Sequence, residues 1–187
     1  MTNRPIRKKI RLENYDYSGN GAYFVTICTK DKMCILWDNR DKYEPVKHDS
    51  IKQNIPVGTA IGRPQNTGRI RLSEYGRYVK EALNAVNEHY PAVFVDKYVI
   101  MPNHVHVIFR IDTRTFSDNG GRPMAVPTIS TVVNQLKGAV SRKSGFHVWQ
   151  GRFYDRIIRN EREYSAFREY IEANPENWES DELFIQG

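Results

Sequence analysis

Seven stretches of this 187-residue chain carry a periodic apolar pattern, separated by segments rich in Gly, Pro and polar residues. Ala22-Tyr23-Phe24-Val25-Thr26-Ile27-Cys28-Thr29 is dense in β-branched and aromatic side chains, which predicts a strand over 22–29. Leu72, Tyr75, Val79, Leu83 and Val86 then recur at helical spacing behind Ser73, a residue type that caps helices, so a helix of about four turns should end near His89. Residues 93–100 and 104–111 both read as strands, and Met101-Pro102-Asn103 between them as a tight reversal, making a central antiparallel hairpin. A second helix is expected over 128–144, burying Ile129, Val132, Val133, Leu136 and Val140 and stopping at Gly145. A short strand over 153–158 follows. The last helix, 161–173, ends before Asn174-Pro175, because the residue preceding a proline is pushed out of the helical region.

The order β-α-β-β-α-β-α predicts an α+β fold: a ferredoxin-like (RRM-like) antiparallel sheet with helices packed mainly on one face. The length suits one domain over 1–187. Within it, 1–20 reads as a basic arm, 44–70 as a polar loop excursion and 112–127 as a further Gly/Pro loop.

Composition narrows the function classes. No apolar run reaches the length of a membrane span, and the basic start is followed by no signal-type apolar stretch. Cys28 and Cys34 have neither CxxC nor metal-type spacing, which excludes a disulfide scaffold and fits a reducing cytoplasm. The formal net charge of +6 is unevenly spread. From Glu161 onward eight acidic residues face Arg162 and Arg168, a balance of −6, so the first 160 residues carry +12. A basic body of that kind favours a polyanionic partner, most simply nucleic acid.

Candidate chemistry lies in two places. In the run Met101-Pro102-Asn103-His104-Val105-His106 the two histidines are separated by one residue on a strand, so both imidazoles leave the same face, as half of a divalent-cation site. On the last helix Tyr164, Phe167 and Ile171 form the core stripe, while Glu163, Tyr170 and Asn174 share a strip about 40° wide at 100° per residue. If that strip meets the histidine strand, a phenol and an amide oxygen join the cation site, a constellation suited to phosphoryl transfer.

Met101-Pro102-Asn103-His104-Val105-His106, followed by Glu169-Tyr170-Ile171-Glu172-Ala173-Asn174-Pro175, resembles the single-tyrosine HUH transposases, the insertion-sequence-200-like family with its branch associated with repetitive extragenic palindromes (REP). Gly21 to Thr29, Asp96 to Met101 and Trp149 to Asn160 are also similar to that family. The resemblance spans nearly the whole chain outside 44–70 and 112–127. It implies that His104 and His106 are the paired metal ligands and Tyr170 the nucleophile. Asn174 falls where relatives place a third polar ligand, with asparagine in place of the glutamine some of them have. The implied cofactor is Mg²⁺ or Mn²⁺. The implied partner is single-stranded DNA with hairpin elements, handled by a monomer or homodimer in a bacterial-type cytoplasm, at the nucleoid.

Candidate DNA contacts are Lys8 and Lys9 in the arm, Asn134, Lys137 and Ser141 on a polar stripe of the second helix, and the nearby Arg142 and Arg152. A catalytically silent nucleic-acid-binding relative on the same fold is the alternative. A two-histidine phosphoesterase would need two H-x-[ST] motifs. A cupin-type site would need an acid shortly after the pair, where Val107-Ile108-Phe109-Arg110-Ile111 has none.

Overall fold

The computed structural model describes residues 20–38, 71–113 and 126–185. Lys8 and Lys9, nearly all of the basic arm, the 44–70 excursion and most of the 112–127 loop lie outside the described residues.

Four strands, β1 (Gly21–Cys28), β2 (Val93–Ile100), β3 (His104–Ile111) and β4 (Tyr154–Ile158), form one antiparallel sheet in the order β2-β3-β1-β4. The helices are α1 (Glu74–Asn84), the short α2 (Val86–His89), α3 (Ile129–Ser144) and α4 (Glu161–Ala173). This is the α+β, ferredoxin-like plan expected from the pattern. One element differs: the helix expected as continuous to His89 breaks at Ala85, whose N–H is shared between the Glu81 and Leu83 carbonyls.

The two sheet faces have different work. On one, Tyr23, Val25, Ile27, Val105, Val107 and Phe109 pack against Val79 and Leu83 of α1 and against Ile129, Val132, Val133, Leu136 and Val140 of α3. On the other, α4 lays Tyr164, Phe167 and Ile171 over Phe24, Val99, Ile108 and Ile158. His104 and His106 project to the α4 side with Ile108, since side chains on a strand alternate.

Two features fix α4. Asn160 accepts from the Glu163 N–H and Glu163 accepts from the Arg159 N–H, a reciprocal cap at the helix start. A bulge in β2 between Val95 and Lys97 leaves Asp96 outside the ladder, so two consecutive residues reach the helix: Asp96 pairs with Arg168 at 2.8 Å and Lys97 with Glu172 at 2.9 Å. The first turn of α1 is equally constrained. Ser73 caps it and donates to the Ile35 carbonyl, and a Cβ at Gly76 would overlap the Leu36 carbonyl oxygen.

Gly76→Ala therefore forces α1 away from the 33–37 segment. It should destabilise the fold by about 1–3 kcal/mol, the usual cost of overpacking, read as a lower urea midpoint with unchanged slope. An unchanged midpoint would contradict this packing.

Candidate active site

The reversal that joins β2 to β3 sets the first imidazole. Its backbone is tied down by Thr29, whose N–H and hydroxyl both donate to the Asn103 carbonyl (2.9 and 3.0 Å), and by the Leu36 N–H on Pro102 O (3.0 Å). The Asn103 side chain donates from Nδ2 to Leu183 O at 2.8 Å, which turns its Oδ1 toward His104 Nδ1, also at 2.8 Å. Because an amide oxygen only accepts, His104 carries its proton on Nδ1 and presents the Nε2 lone pair. His106 Nδ1 meets Thr26 Oγ1 at 2.8 Å, and Thr26 is its direct cross-strand partner on β1. The two Nε2 atoms stand 3.0 Å apart, and both rings are buried.

Helix α4 brings in the phenol. Phe167 stacks on Phe24 at 4.4 Å, Phe24 stacks on the His106 ring at 5.2 Å, and one turn further Tyr170 lies edge-on to His106. Tyr170 Oη is 3.4 Å from His106 Nε2. Asn174, one more turn along, is buried within the same group, and its Oδ1 has no hydrogen-bond partner among the described residues. The residues that sequence spacing predicted for the site, His104, His106, Tyr170 and Asn174, thus meet in one place.

A fifth member was not foreseen. After α4 the chain turns through a short 3-10 segment, Trp178–Ser180, and returns Asp181 to the imidazoles. The Asp181 side chain is 3% exposed, and its Oδ2 lies 3.9 Å from His104 Nε2. The same oxygen is 3.5 Å from Tyr170 Oη and 3.3 Å from Asn174 Nδ2, while Oδ1 accepts from Leu183 N at 2.6 Å. Sequence reading counted Asp181 only as part of an acidic tail. The apolar residues around it, Trp178 and Phe184, whose rings contact each other at 5.2 Å, were the available sign that this tail packs. Thr26 and Asn103 were missed as well, since their roles depend on strand register and turn geometry.

The electrostatics favour neutral imidazoles. Burial lowers the His104 pKa to about 4 in spite of the opposing charge of Asp181, and burial with the adjacent His104 takes His106 to about 3. Burial, followed by the Asp181 charge, raises the Tyr170 phenol above its usual value. His104, His106 and Asp181 offer ligand atoms that all lie within 4.8 Å of one another. The donor set suits a divalent cation: two neutral imidazoles whose Nε2 atoms face each other, one carboxylate, and beside them the amide of Asn174, whose Oδ1 has no partner among the described residues. Without an ion, the buried Asn174 oxygen costs about 1–3 kcal/mol.

The cleft outside the phenol holds about 780 Å³ and is walled by Phe24, Tyr154, Arg156, Phe167 and Glu182. The other expected contacts lie elsewhere. Asn134 and Arg142 are exposed on α3, across the sheet from the imidazoles, and Arg152 is exposed just before β4. Lys137 is buried and donates to the carbonyls of Gln150 and Gly151; Ser141 accepts from Val148 N. Both side chains hold the 148–151 segment to α3.

The fold is shared with the solved structure of a REP-associated tyrosine transposase bound to a REP hairpin, at a TM-score of 0.51 and 17% identity over 88% of this chain and 73% of that one. No protein-family model matches the chain. In sequence it is 31% identical, over an alignment 195 positions long, to an uncharacterized protein of Haemophilus influenzae, covering 96% of this chain and 93% of that protein. The chain belongs to the family of that Haemophilus protein. Among the described residues no helix is long and apolar enough to cross a membrane.

The histidine shifts make stability depend on pH. Unfolded imidazoles take up protons below about 6.5, whereas the folded ones do so only near 4 and 3. Their contribution is present above about pH 6.5 and is lost as pH falls toward the folded values. By pH 5 the loss should reach about 2 kcal/mol per histidine, and His106→Gln should flatten the slope. Urea titrations between pH 7 and 5 measure it; a flat profile would contradict neutral burial.

Proposed function

We propose that this chain is a divalent-cation-dependent tyrosine transesterase of the transposase type, which nicks and rejoins single-stranded DNA bearing a hairpin. The observation that carries the reading is the approach of Tyr170 Oη to His106 Nε2, 3.4 Å, inside a cluster able to hold a cation. The hairpin substrate is supported by the REP hairpin in the solved structure of like fold.

The chemistry assigned to each residue follows from its surroundings. Tyr170 Oη bonds to a phosphorus in line, the bond from phosphorus to the 3′ oxygen breaks, and that oxygen leaves as a free 3′-OH once protonated. The 5′ side stays linked to the tyrosine, so a second 3′-OH can reverse the step without an energy source. A phenol, with a reference pKa of about 10, keeps its proton at neutral pH and must release it as Oη bonds to phosphorus; Tyr170 is 45% exposed to the cleft through which that proton can leave. A Mg²⁺ or Mn²⁺ ion in the cluster supplies charge neutralisation at the phosphate oxygens. His104, His106, Asp181 and Asn174 would hold it, with Asn103 and Thr26 fixing the two rings. Sequence spacing offered only neutral ligands; Asp181 adds one negative charge and so strengthens cation binding before DNA arrives.

In this reading the basic body steers DNA toward the cleft, with Lys8 and Lys9, Asn134, Arg142 and Arg152 as contacts, and with Lys137 and Ser141 shaping the loop that carries Arg152.

Incubating the full chain with a hairpin oligonucleotide and Mn²⁺ should yield a nucleotide adduct on Tyr170 by mass spectrometry. Tyr170→Phe and chelation of the metal should each abolish it. No adduct would leave the silent DNA-binding reading in its place, and an adduct elsewhere would remove Tyr170 as the nucleophile. Asp181→Asn keeps the shape but removes the charge, and should weaken Mn²⁺ binding roughly tenfold by calorimetry; unchanged affinity would remove Asp181 from the ligand set.

A further inference from the structure

Among the described residues β4 is an edge strand of the sheet, and it carries an exposed aromatic side chain beside the phenol. Tyr154, on the edge strand β4, is 58% exposed, and among the described residues neither a hydrogen bond nor a ring contact engages it. Single exposed aromatics are ordinary on protein surfaces. Here, however, four large hydrophobic side chains are exposed among the described residues, and two of them, Tyr154 and Tyr170, open into the same cleft.

The register places Tyr154 in line with the catalytic ring. It pairs with Thr26, and Thr26 pairs with His106, so the three form one row across the sheet on the α4 side. With strands about 4.8 Å apart, the Tyr154 backbone stands about 10 Å from that of His106. Arg156, the next residue on the same face of β4, lies over the Phe167 ring at 5.4 Å and gives one nitrogen to Glu163 at 3.1 Å. A guanidinium has five donors, so others remain for a phosphate.

We infer that Tyr154 and Arg156 form a seat for the unpaired nucleotide next to the scissile phosphate, its base stacked on the Tyr154 ring and its phosphate on Arg156. This rests on the transesterase reading above and names the part of the substrate that the cleft takes. A π-face with a cation beside it accepts any base, so the seat contributes affinity for single strands rather than base identity. It also selects against a fully paired target, whose bases would first have to leave the stack.

The test uses the full chain carrying Tyr170→Phe, which cannot cut, and two labelled hairpins, one with an unpaired flank and one blunt. In anisotropy titrations, adding Tyr154→Ala or Tyr154→Leu should weaken binding of the flanked hairpin about tenfold, whereas Tyr154→Phe keeps the ring and stays within about twofold. Binding of the blunt hairpin should not change. Arg156→Gln should lower the salt dependence of flanked-hairpin binding by about one phosphate contact. Equal losses on both hairpins would mark Tyr154 as structural, and no loss, or a parent that binds both hairpins alike, would overturn the seat. Adduct formation by the unmodified chain is followed in parallel. An adduct on Tyr170 with no effect of Tyr154→Ala sinks the seat alone; a flank-specific loss without any adduct keeps the seat and sinks the transesterase.

Discussion

The stack of Phe167 on Phe24, and of Phe24 on the His106 ring, is the contact on which the site depends. It does two jobs through the same surface. It gives α4 an apolar footing on the sheet, and it covers the His106 imidazole, as Trp178 lies beside that of His104. The covering lowers their proton affinity and keeps the lone pairs available near neutral pH. It also sets the rotation of α4 about its axis: with Phe167 seated, residues 170 and 174 can only face the rings, because i+3 and i+7 fall on adjoining strips of a helix. Asp96 and Lys97, brought together by the β2 bulge, hold the same rotation from the solvent side.

Packing and chemistry are divided between the faces of one sheet. The α1/α3 face is almost wholly apolar and holds most of the core. The α4 face has a much smaller apolar cluster, and its remaining area goes to polar groups aimed at one another. Polar groups buried in that way are costly unless each finds a partner, and here the pairing is nearly complete: Thr26 with His106, Asn103 with His104 and Leu183, Leu183 N with Asp181. Among the described residues the exception within the site is the oxygen of Asn174, beside two imidazoles whose Nε2 atoms face each other at 3.0 Å.

Much of this was legible in the sequence because it is local. Strand alternation put His104 and His106 on one face, helical spacing put Tyr170 and Asn174 on one strip, and Ser73 and Gly145 cap the helices they were expected to bound. Helix α4 ends at Ala173 as expected, but Asn174 keeps helical φ/ψ (−57°, −42°) before Pro175 instead of leaving the helical region. What escaped was set by tertiary geometry. Thr26 matters only because β1 pairs with β3 in one register out of several. Asp181 lies in a segment with no periodicity, and its effect comes from a reversal held by backbone hydrogen bonds at 180, 181 and 184. Lys137 shows the converse: its place on a polar stripe suggested a surface contact, but a long side chain can fold under a neighbouring loop and spend its charge on two carbonyls.

The uneven charge of the chain meets at Asp181. Net +12 over the first 160 residues suits a polyanion, and the acidic segment that follows returns one carboxylate to the candidate site. Most of that segment's charge stays on the solvent side of α4 or at its end, where Glu172 and Glu163 are matched by Lys97 and Arg156. Among the described residues one acidic group, Asp181, joins the two imidazoles, its ligand atom within 4.8 Å of theirs. A lone carboxylate there repels a phosphate, and a divalent ion held beside it would reverse the local sign. In the proposed reaction this would make DNA binding at the phenol conditional on the ion, while the aromatic and cationic rim at Tyr154 and Arg156 does not touch Asp181.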